Sequence, residues 1–379
     1  MTLAMLAASL AENAGIARSW HAQSKEAGAV RIFLTGGTGF VGQALVRAMR
    51  RRGWAIHALV RDPLGAPARW LAAQGCTLAT GDVTQSDGLA QAMAGTDVVL
   101  HSAGVYEFGA SSRERRRMQQ VNVHGTDQVL GAALQAGITR TVYVSTVWSL
   151  GATGYPPAPA WPKDESQRHG RHYLTPYEHS KAEAHRVALA WRTRGLPLVI
   201  AMPNSVVGAN DHAVFGYFLR LYLLGALPPA SFGGDSVMSM VHVDALAEGL
   251  CLAAEKARIG EDYLFCGEPI SIRALFEHWG RYKGGMVKRV WLPRWLMRWQ
   301  MALLEPLQRL LGLPAFLSRD TVDASKAHLN YSSAKARRDL DWKHPRIEEM
   351  WELIVREERE LMAQRRGFLN RLRHQQVVS

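Results

Sequence analysis

The sequence contains few cysteines and none of the long apolar runs that span a membrane. Only Cys76, Cys251 and Cys266 occur in 379 residues, and their spacing matches no metal-ligand motif. Three widely spaced cysteines argue against a disulfide framework and favour a reducing compartment, so we expect a cytoplasmic protein without a metal site. No uncharged apolar stretch reaches the roughly 18 residues of a spanning helix, so we predict none.

Targeting and nucleic-acid-binding signatures are also missing. Residues 1–28 combine no basic start with a long apolar core, so we expect a disordered extension rather than an export signal. The formal net charge is +12, and an excess of basic residues favours anionic partners, such as a phosphorylated cofactor or an anionic lipid surface. Because no nucleic-acid-binding module is recognisable, we exclude nucleic acid as a partner.

The sequence does contain a glycine-rich loop behind its first apolar strand signal. Gly36, Gly39 and Gly42 separate residues 30–34 from a helical stretch that follows. Glycines at this spacing allow a tight turn, a close approach to a pyrophosphate, and close packing of the helix on the strand. The helix N-terminus then offers N–H groups to the phosphates. In this position the pattern indicates a dinucleotide site.

Strand and helix signals alternate as far as residue 202. Strands are predicted at residues 30–34, 55–60, 77–80, 97–101, 140–145 and 198–202, and helices notably at residues 86–94, 118–136 and 180–194. Strands separated by helices indicate parallel pairing through crossover connections. We therefore predict an α/β fold, a doubly wound parallel (Rossmann) sheet with helices on both faces.

After Pro203 the alternation ends, and the remaining chain is predicted to be mostly helical. We assign residues 29–202 to the dinucleotide-binding domain. Residues 203–345 are predicted to form a smaller, mostly helical substrate-binding lobe, with residues 233–250 returning to the sheet. Residues 346–379 are predicted to form a C-terminal helix with a basic tail.

Two further motifs carry candidate chemistry. Tyr177 and Lys181 lie one helical turn apart, and a neighbouring ammonium favours ionisation of a phenol whose usual pKa is about 10. Such a pair suits general acid–base catalysis. Ser145 and Thr146 end the fifth predicted strand, where a hydroxyl can hydrogen-bond a substrate oxygen or cap its own loop. Each motif is weak alone, but together they occur in order and on fitting elements.

Over residues 30–341 the chain resembles the extended short-chain dehydrogenase/reductase family, in a pattern most similar to dihydroflavonol reductases and 3β-hydroxysteroid dehydrogenases. Besides the glycine loop, Ser145, Thr146 and the Tyr177–Lys181 pair, the resemblance rests on residues 81–83, 101–104, 122–126, 203–208 and 242–244.

The resemblance implies roles for individual residues. Tyr177 would exchange the proton, Lys181 would hold the nicotinamide ribose and lower the tyrosine pKa, and Thr146 would be the catalytic hydroxyl. The residues implied in cofactor binding are Gly36, Thr38, Gly39, Phe40, Val41, Arg61, Asp82, Val83, Ala103, Gly104, Asn122, Lys181, Pro203, Ser205 and Val206. The family implies an NAD(P)-dependent oxidoreductase, commonly a homodimer, that interconverts a secondary alcohol and a ketone.

The end of the second predicted strand bears on the choice of cofactor. An acidic residue there takes the ribose 2′-hydroxyl, whereas an arginine accommodates a 2′-phosphate. Here Arg61 precedes Asp62, in a run similar to that of NADPH-dependent dihydroflavonol reductases. We therefore predict NADP, while NAD stays open because Arg61 could instead pair with Asp62.

Departures from the family pattern concern the substrate. Nucleotide-sugar members carry arginine where this chain has Met202 and Met238, and an unneutralised diphosphate in a partly dry cleft would be costly. The apolar residues 215–224 could line a substrate pocket or pack in the core. We therefore predict a hydrophobic, steroid-, flavonoid- or lipid-like substrate. The alternatives are a sugar epimerase or dehydratase, and a non-catalytic NAD(P)-binding regulator.

Residues 288–313 mix cations with tryptophans. Basic amphipathic helices that contain tryptophan are typical of membrane interfaces, so one interpretation is a peripheral membrane contact. In the other, Trp295 and Trp299 pack the lobe onto the sheet.

Overall fold

Short strands occur from residue 31 to residue 291 of the described chain. The computed structural model describes residues 29–283, 288–310 and 318–377, so the predicted extension at residues 1–28 lies outside the described residues. The first strands are β1 (Arg31–Thr35), β2 (Ala55–Val60), β3 (Thr77–Thr80), β4 (Val98–His101), β5 (Thr141–Val144) and β6 (Leu198–Pro203). The later strands are β7 (Val206–Val207), β8 (Ala230–Ser231), β9 (Val237–Ser239), β10 (Val241–His242), β11 (Asp262–Phe265), β12 (Pro269–Ser271) and β13 (Val290–Trp291).

Helices cover the sheet and build most of the region beyond it. They are α1 (Phe40–Arg51), α2 (Ala66–Ala73), α3 (Leu89–Met93), α4 (Ser112–Met118), α5 (Gly125–Gln135), α6 (Pro176–Thr193), α7 (Val214–Leu224), α8 (Val243–Lys256), α9 (Ile272–Lys283), α10 (Arg294–Leu310), α11 (Arg319–Ala324), α12 (Ala334–Leu340) and α13 (Ile347–Val377). A π-helical segment (Gln119–His124) joins α4 to α5, and a 3₁₀ turn (Val147–Ser149) follows β5. Among the described residues, none of these helices combines the length and apolarity needed to cross a bilayer.

The main sheet has seven parallel strands in the order β11-β6-β5-β4-β1-β2-β3, which confirms the predicted fold class. Ile32 and Leu34 belong to the core on one face of the sheet and Phe33 to the core on the other, as the period of two along a strand requires. The strand order reverses between β1 and β4. The crevice outside the carboxyl ends of these strands is therefore the expected ligand site.

Residues 233–250 reach the sheet through a helix. Helix α8 packs on the sheet, with Leu246 and Leu250 in the same core cluster as Leu45 of α1. However, β10 pairs with β7 outside the main sheet, and the strand that joins the sheet beside β6 is β11, which follows the expected range. The division into domains stays a prediction.

Two helix boundaries differ from the predicted ones for local reasons. Helix α6 begins at Pro176 rather than at residue 180, because the Thr175 hydroxyl caps the Glu178 N–H at 3.1 Å and proline fits a first turn. The predicted helix 118–136 is divided: Met118 ends α4, residues 119–124 are π-helical, and α5 begins at Gly125. As a result, Tyr177 lies in the first turn of α6.

The helices of the C-terminal region enclose a separate aromatic core. Tyr222 of α7, Trp279 of α9 and Trp351 of α13 are buried together, and Met350 and Ile354 extend this contact along α13. The final helix therefore docks through its apolar face. Cys76, Cys251 and Cys266 are all buried and unpaired.

Candidate active site

The glycine loop forms a cradle that side chains would fill. Gly36 has a φ of 77°, and a Cβ there would lie 2.7 Å from the Ala103 backbone nitrogen. A Cβ at Gly42 would lie 2.0 Å from the Gly36 carbonyl oxygen. Helix α1 begins after Gly39 without a side-chain cap or an acidic residue in its first turn, so its free N–H groups can receive an anion. The loop fits the pyrophosphate of a dinucleotide.

The other residues implied in cofactor binding lie at the carboxyl edge of the sheet. Thr38, Phe40 and Val41 belong to the glycine loop and the start of α1, whereas Asp82, Val83, Ala103, Gly104, Ser205 and Val206 follow the ends of β3, β4 and β6. The Ala103 N–H donates to the Thr35 hydroxyl at 3.3 Å, which ties the end of β4 to the end of β1. The structure thus places these residues along the carboxyl edge of the sheet, on both sides of the reversal of strand order.

Arg61 and Asp62 do not pair at the end of β2. The Asp62 carboxylate accepts the Leu64 N–H at 3.0 Å and so closes its own turn. Arg61 is exposed, and in the described part of the chain it forms no hydrogen bond or ion pair with Asp62. The guanidinium therefore remains available to a ligand at this edge.

Asn122 braces the loop behind β4. It lies in the π-helical segment and is almost completely buried. Its side chain accepts the Val105 N–H at 2.7 Å and donates to the Val105 carbonyl at 2.9 Å and to the Ser180 hydroxyl at 3.0 Å. Asn122 thus connects the cofactor-side loop to helix α6, in the kind of π-helical segment that is frequent at functional sites.

Thr146, Tyr177 and Lys181 converge at the end of β5. The Thr146 hydroxyl lies beside the Tyr177 phenol and donates to the Pro203 carbonyl at 3.3 Å. The Lys181 ammonium donates to the Val144 carbonyl at 3.3 Å and lies 5.3 Å from the centroid of the Tyr143 ring. The structure therefore assembles the hydroxyl, the phenol and the ammonium that the sequence motifs placed apart.

The electrostatics of Tyr177 differ from expectation. Burial raises the pKa of the Tyr177 phenol above its usual value, and the interaction with the Thr146 side chain only partly opposes this. Desolvation outweighs the expected lowering of this pKa by Lys181, and the role of Lys181 stays a prediction. The phenol is therefore protonated at neutral pH, which suits a proton donor.

Ser145 faces away from this group. Its hydroxyl contacts Ser149 at 3.2 Å and His185 Nδ1 at 3.3 Å, on the opposite side of the strand end. Burial lowers the pKa of His185 to about 4, so its ring is neutral near pH 7. Ser145 consequently supports the strand end rather than standing beside the reacting groups.

Sequence reasoning missed Tyr106 and the network around His101. The Tyr106 ring packs edge-on against Tyr177, with centroids 4.6 Å apart. His101 links the Thr35 hydroxyl (2.7 Å) to the Thr126 hydroxyl (3.2 Å), and burial lowers its pKa to about 3. The signal for Tyr106 was its place in a loop at the carboxyl end of a strand.

An apolar cavity of about 230 Å³ adjoins the convergent residues. Tyr106 and Trp148 line it, and the Trp148 N–H donates to the Thr146 hydroxyl at 3.4 Å. Both alternatives for residues 215–224 are realised on different faces of α7, because Phe215 lines the cavity while Leu219 packs in the core. Within the described residues, no group of three or more His, Cys, Asp and Glu side chains could hold a metal ion.

Comparison with known proteins identifies the family of this chain. The model of the NAD dependent epimerase/dehydratase family matches residues 32–266, which is more than half of the sequence. The chain belongs to this family. Among solved structures, the crystal structure of gox2253 is 29% identical and superposes with a TM-score of 0.72, covering 87% of this chain and 98% of that one.

Several curated members of the epimerase/dehydratase family are similar over most of their length. The 4-hydroxy-2-methyl-3-oxo-4-farnesyl-3,4-dihydroquinoline-1-oxide ketoreductase of Stigmatella aurantiaca is 34% identical over 65% of this chain and 71% of its own. A putative dihydroflavonol 4-reductase of Synechocystis is 30% identical over 82% and 89%. The 3 beta-hydroxysteroid dehydrogenase/Delta 5-->4-isomerase of Mycobacterium tuberculosis is 30% identical over 82% and 85%. The chain is accordingly an NAD(P)-dependent oxidoreductase acting on CH–OH groups, and the resemblance drawn from the motifs is confirmed.

Proposed function

We propose that the chain interconverts a hydrophobic ketone and the corresponding secondary alcohol with NADP. The observation that carries this proposal is the contact between the catalytic side chains and an apolar cavity. The neighbouring side chains Tyr177 and Thr146 adjoin an apolar cavity through Tyr106 and Trp148. Met238 lines that cavity at the position where nucleotide-sugar members carry arginine. An apolar substrate is thereby favoured over a sugar diphosphate.

The proposed chemistry divides between the cofactor and the protein. When bound, the nicotinamide supplies or accepts the hydride. Thr146 holds the substrate oxygen, and Tyr177 gives it a proton during reduction or removes one during oxidation. Because burial raises its pKa, Tyr177 is protonated at neutral pH and has a proton to give to the substrate oxygen during reduction. Lys181 binds the ribose from its buried position beside β5.

The relatives support an apolar substrate. The name of one relative describes a ketone reductase for a farnesylated ring, and that of another a hydroxysteroid dehydrogenase. Both names combine an oxygen on a ring system with a large apolar body. The aromatic and aliphatic lining of the cavity fits a molecule of that class.

Tyr177→Phe tests the proposed mechanism. We would screen hydrophobic ketones and alcohols with both nicotinamides and follow the nicotinamide absorbance. Turnover by the wild type should fall about 10²- to 10⁴-fold in the variant, while NADPH binding persists. Tyr173→Phe is the matched control, since this half-buried phenol only accepts a hydrogen bond from Arg186. Undiminished activity of Tyr177→Phe would refute the mechanism, and turnover of a nucleotide sugar without net absorbance change would establish the epimerase alternative.

The preference for NADP rests on Arg61. Its guanidinium is exposed and not paired with Asp62, whose carboxylate is engaged in a turn. Arg61→Ser should weaken NADPH binding about tenfold or more and leave NADH binding unchanged, because only the 2′-phosphate loses a charge-assisted partner. Titration of protein fluorescence with both cofactors measures this, and equal losses for the two would contradict the assignment.

We also propose that α10 rests on a membrane surface. One face of the helix is apolar and exposed, with Trp295 66% and Trp299 71% accessible, and it continues through Leu303, Leu307 and Leu310. Its other face, including Met297, lines the cavity. Tryptophan beside basic residues such as Arg298 fits an anionic bilayer, and such a contact would place the cavity next to lipid. Residues 311–313 of the predicted contact lie outside the described residues.

Vesicle sedimentation tests the membrane contact. Wild-type protein should bind phosphatidylserine-containing vesicles, and the double variant Trp295→Ser/Trp299→Ser should lose most of that binding. Trp161→Ser is the control, because Trp161 is 70% exposed but lies elsewhere on the surface. Unchanged binding by the double variant would refute the contact. Light scattering tests the homodimer that we propose from family membership, and dissociation of that dimer by the same double variant would assign the apolar face to a second copy.

A further inference from the structure

A half-buried guanidinium borders the apolar cavity. Arg289 lies just before β13 and lines the cavity together with Ser231 and Phe276. Its Nε donates to the Ser231 hydroxyl at 2.7 Å and its Nη2 to the Pro228 carbonyl at 2.6 Å. The third nitrogen, Nη1, is buried and has no hydrogen-bond partner in the part of the chain that the structure describes. The sequence grouped Arg289 with the cations and tryptophans of residues 288–313, and the structure places it in the lining of the cavity.

The described residues leave the charge of Arg289 without a neutralising partner. Among the described residues that line the cavity it is the one charged side chain, and no carboxylate within the described ranges forms an ion pair with it. Burial lowers the pKa of the guanidinium, but an arginine remains charged in a protein. Its carbon lies 4.3 Å from the centroid of the Phe276 ring, and this cation–π contact offsets part of the desolvation cost.

The two fixed nitrogens orient the third. With Nε and Nη2 held by Ser231 and Pro228, the guanidinium plane cannot turn freely, so Nη1 is a preorganised donor. A monoanion would satisfy this donor and neutralise the charge at once. A neutral hydroxyl would leave the cation unpaired, and a diphosphate would bring more negative charge than one guanidinium can neutralise.

We propose that Arg289 binds a carboxylate of the substrate, so that the substrate class is an apolar oxo or hydroxy acid. The carboxylate lies on the lobe side of the cavity, and the reacting carbon lies on the side bordered by Tyr106 and Trp148. This inference rests on the proposed function and adds to it a specificity-determining residue.

Binding of a simple carboxylate tests the anion site without turnover. We would measure calorimetrically the binding of dodecanoate and of methyl dodecanoate to the protein in the presence of NADP. Wild type should prefer the carboxylate about 10- to 100-fold, the range expected for a charge-assisted hydrogen bond in a desolvated site. Arg289→Met should abolish this preference. Arg289→Lys should retain part of it, because an ammonium keeps the positive charge but lacks the planar set of fixed N–H donors of a guanidinium.

Arg273→Met is the matched control. Arg273 stacks on the Trp291 ring of the same lobe at 4.6 Å but does not line the cavity, so its loss should leave the carboxylate preference unchanged. NADPH binding by each variant verifies that it is folded. Equal affinity of the wild type for dodecanoate and its methyl ester would overturn the inference, as would a full preference in Arg289→Met.

A reaction assay separates this inference from the proposed function. Oxo fatty acids and their methyl esters would be compared as substrates, and the acids should be reduced with a kcat/KM about 10- to 100-fold higher. If both are reduced equally well, the role of Arg289 fails while the reductase function stands. If dodecanoate binds through Arg289 but no ketone is reduced, the carboxylate site stands and the reductase function fails.

Discussion

Removal of the Asn122 side chain is the perturbation whose cost follows most directly from the structure. Asn122→Ala would delete the acceptor of the Val105 N–H, the donor to the Val105 carbonyl and the donor to the Ser180 hydroxyl. Ser180 keeps a second partner, because its hydroxyl also donates to the Tyr177 carbonyl at 2.8 Å. The loss therefore concentrates on the two backbone groups of Val105.

The magnitude can be worked from those two groups. An orphaned buried donor or acceptor costs about 1–3 kcal/mol, and Val105 is only half-buried, so water restores part of each bond. We expect the free energy of unfolding to fall by about 2–4 kcal/mol. The loop that contains Gly104 would also loosen at the cofactor edge, so the Kd for NADPH should rise. Asn122→Asp keeps the acceptor for the Val105 N–H and should weaken NADPH binding less than Asn122→Ala does.

Urea denaturation followed by fluorescence measures the stability change, and a titration with NADPH measures the change in affinity. Gln120→Ala is the control, since Gln120 is exposed in the same π-helical segment. A free energy of unfolding for Asn122→Ala within about 0.5 kcal/mol of the wild type, the range of ordinary surface substitutions, would refute the argument.

Two further predictions concern the glycine loop and pH. Gly42→Ala should abolish NADPH binding, because its Cβ would meet the Gly36 carbonyl at 2.0 Å, whereas Gly170→Ala, with open space around it, should bind NADPH normally. Burial lowers the pKa of His101 to about 3, so the unfolded chain takes up this proton more readily, and stability falls as the pH drops from about 6.5 towards 3. Urea titrations from pH 7 to pH 4 should show a slope shallower by about 1.4 kcal/mol per pH unit in His101→Asn. An unchanged slope there, with His124→Asn as the exposed control, would contradict the neutral state of His101.

Much of the fold was predictable because the signals are local. The alternation of apolar strands with helices indicated the parallel sheet, and glycines after β1 indicated the cradle at α1. The short strand β11 was missed because its residues carry little periodicity, and pairing with β6 decides its conformation. The start of α6 was predicted at residue 180, whereas the structure begins the helix at Pro176, behind the cap at Thr175.

The candidate site was predictable in its residues more than in its electrostatics. Thr146, Tyr177 and Lys181 were identified from motifs, and the structure brings them together. The raised pKa of Tyr177 was not predictable, because it depends on which distant segments exclude water from the phenol. Ser145 was placed beside the site by adjacency, yet consecutive residues of an extended chain point to opposite sides.

The sequence by itself therefore determined the fold class, the family and the set of chemical groups, since periodicity, glycine spacing and the order of motifs are properties of neighbouring residues. Only the tertiary structure decided which of those groups meet. It placed Arg289 in the lining of an apolar cavity, packed Tyr106 against Tyr177 and left the apolar face of α10 exposed. The physical reason is that burial and unpaired charge depend on contacts between residues far apart in the chain, and local pattern does not specify those contacts.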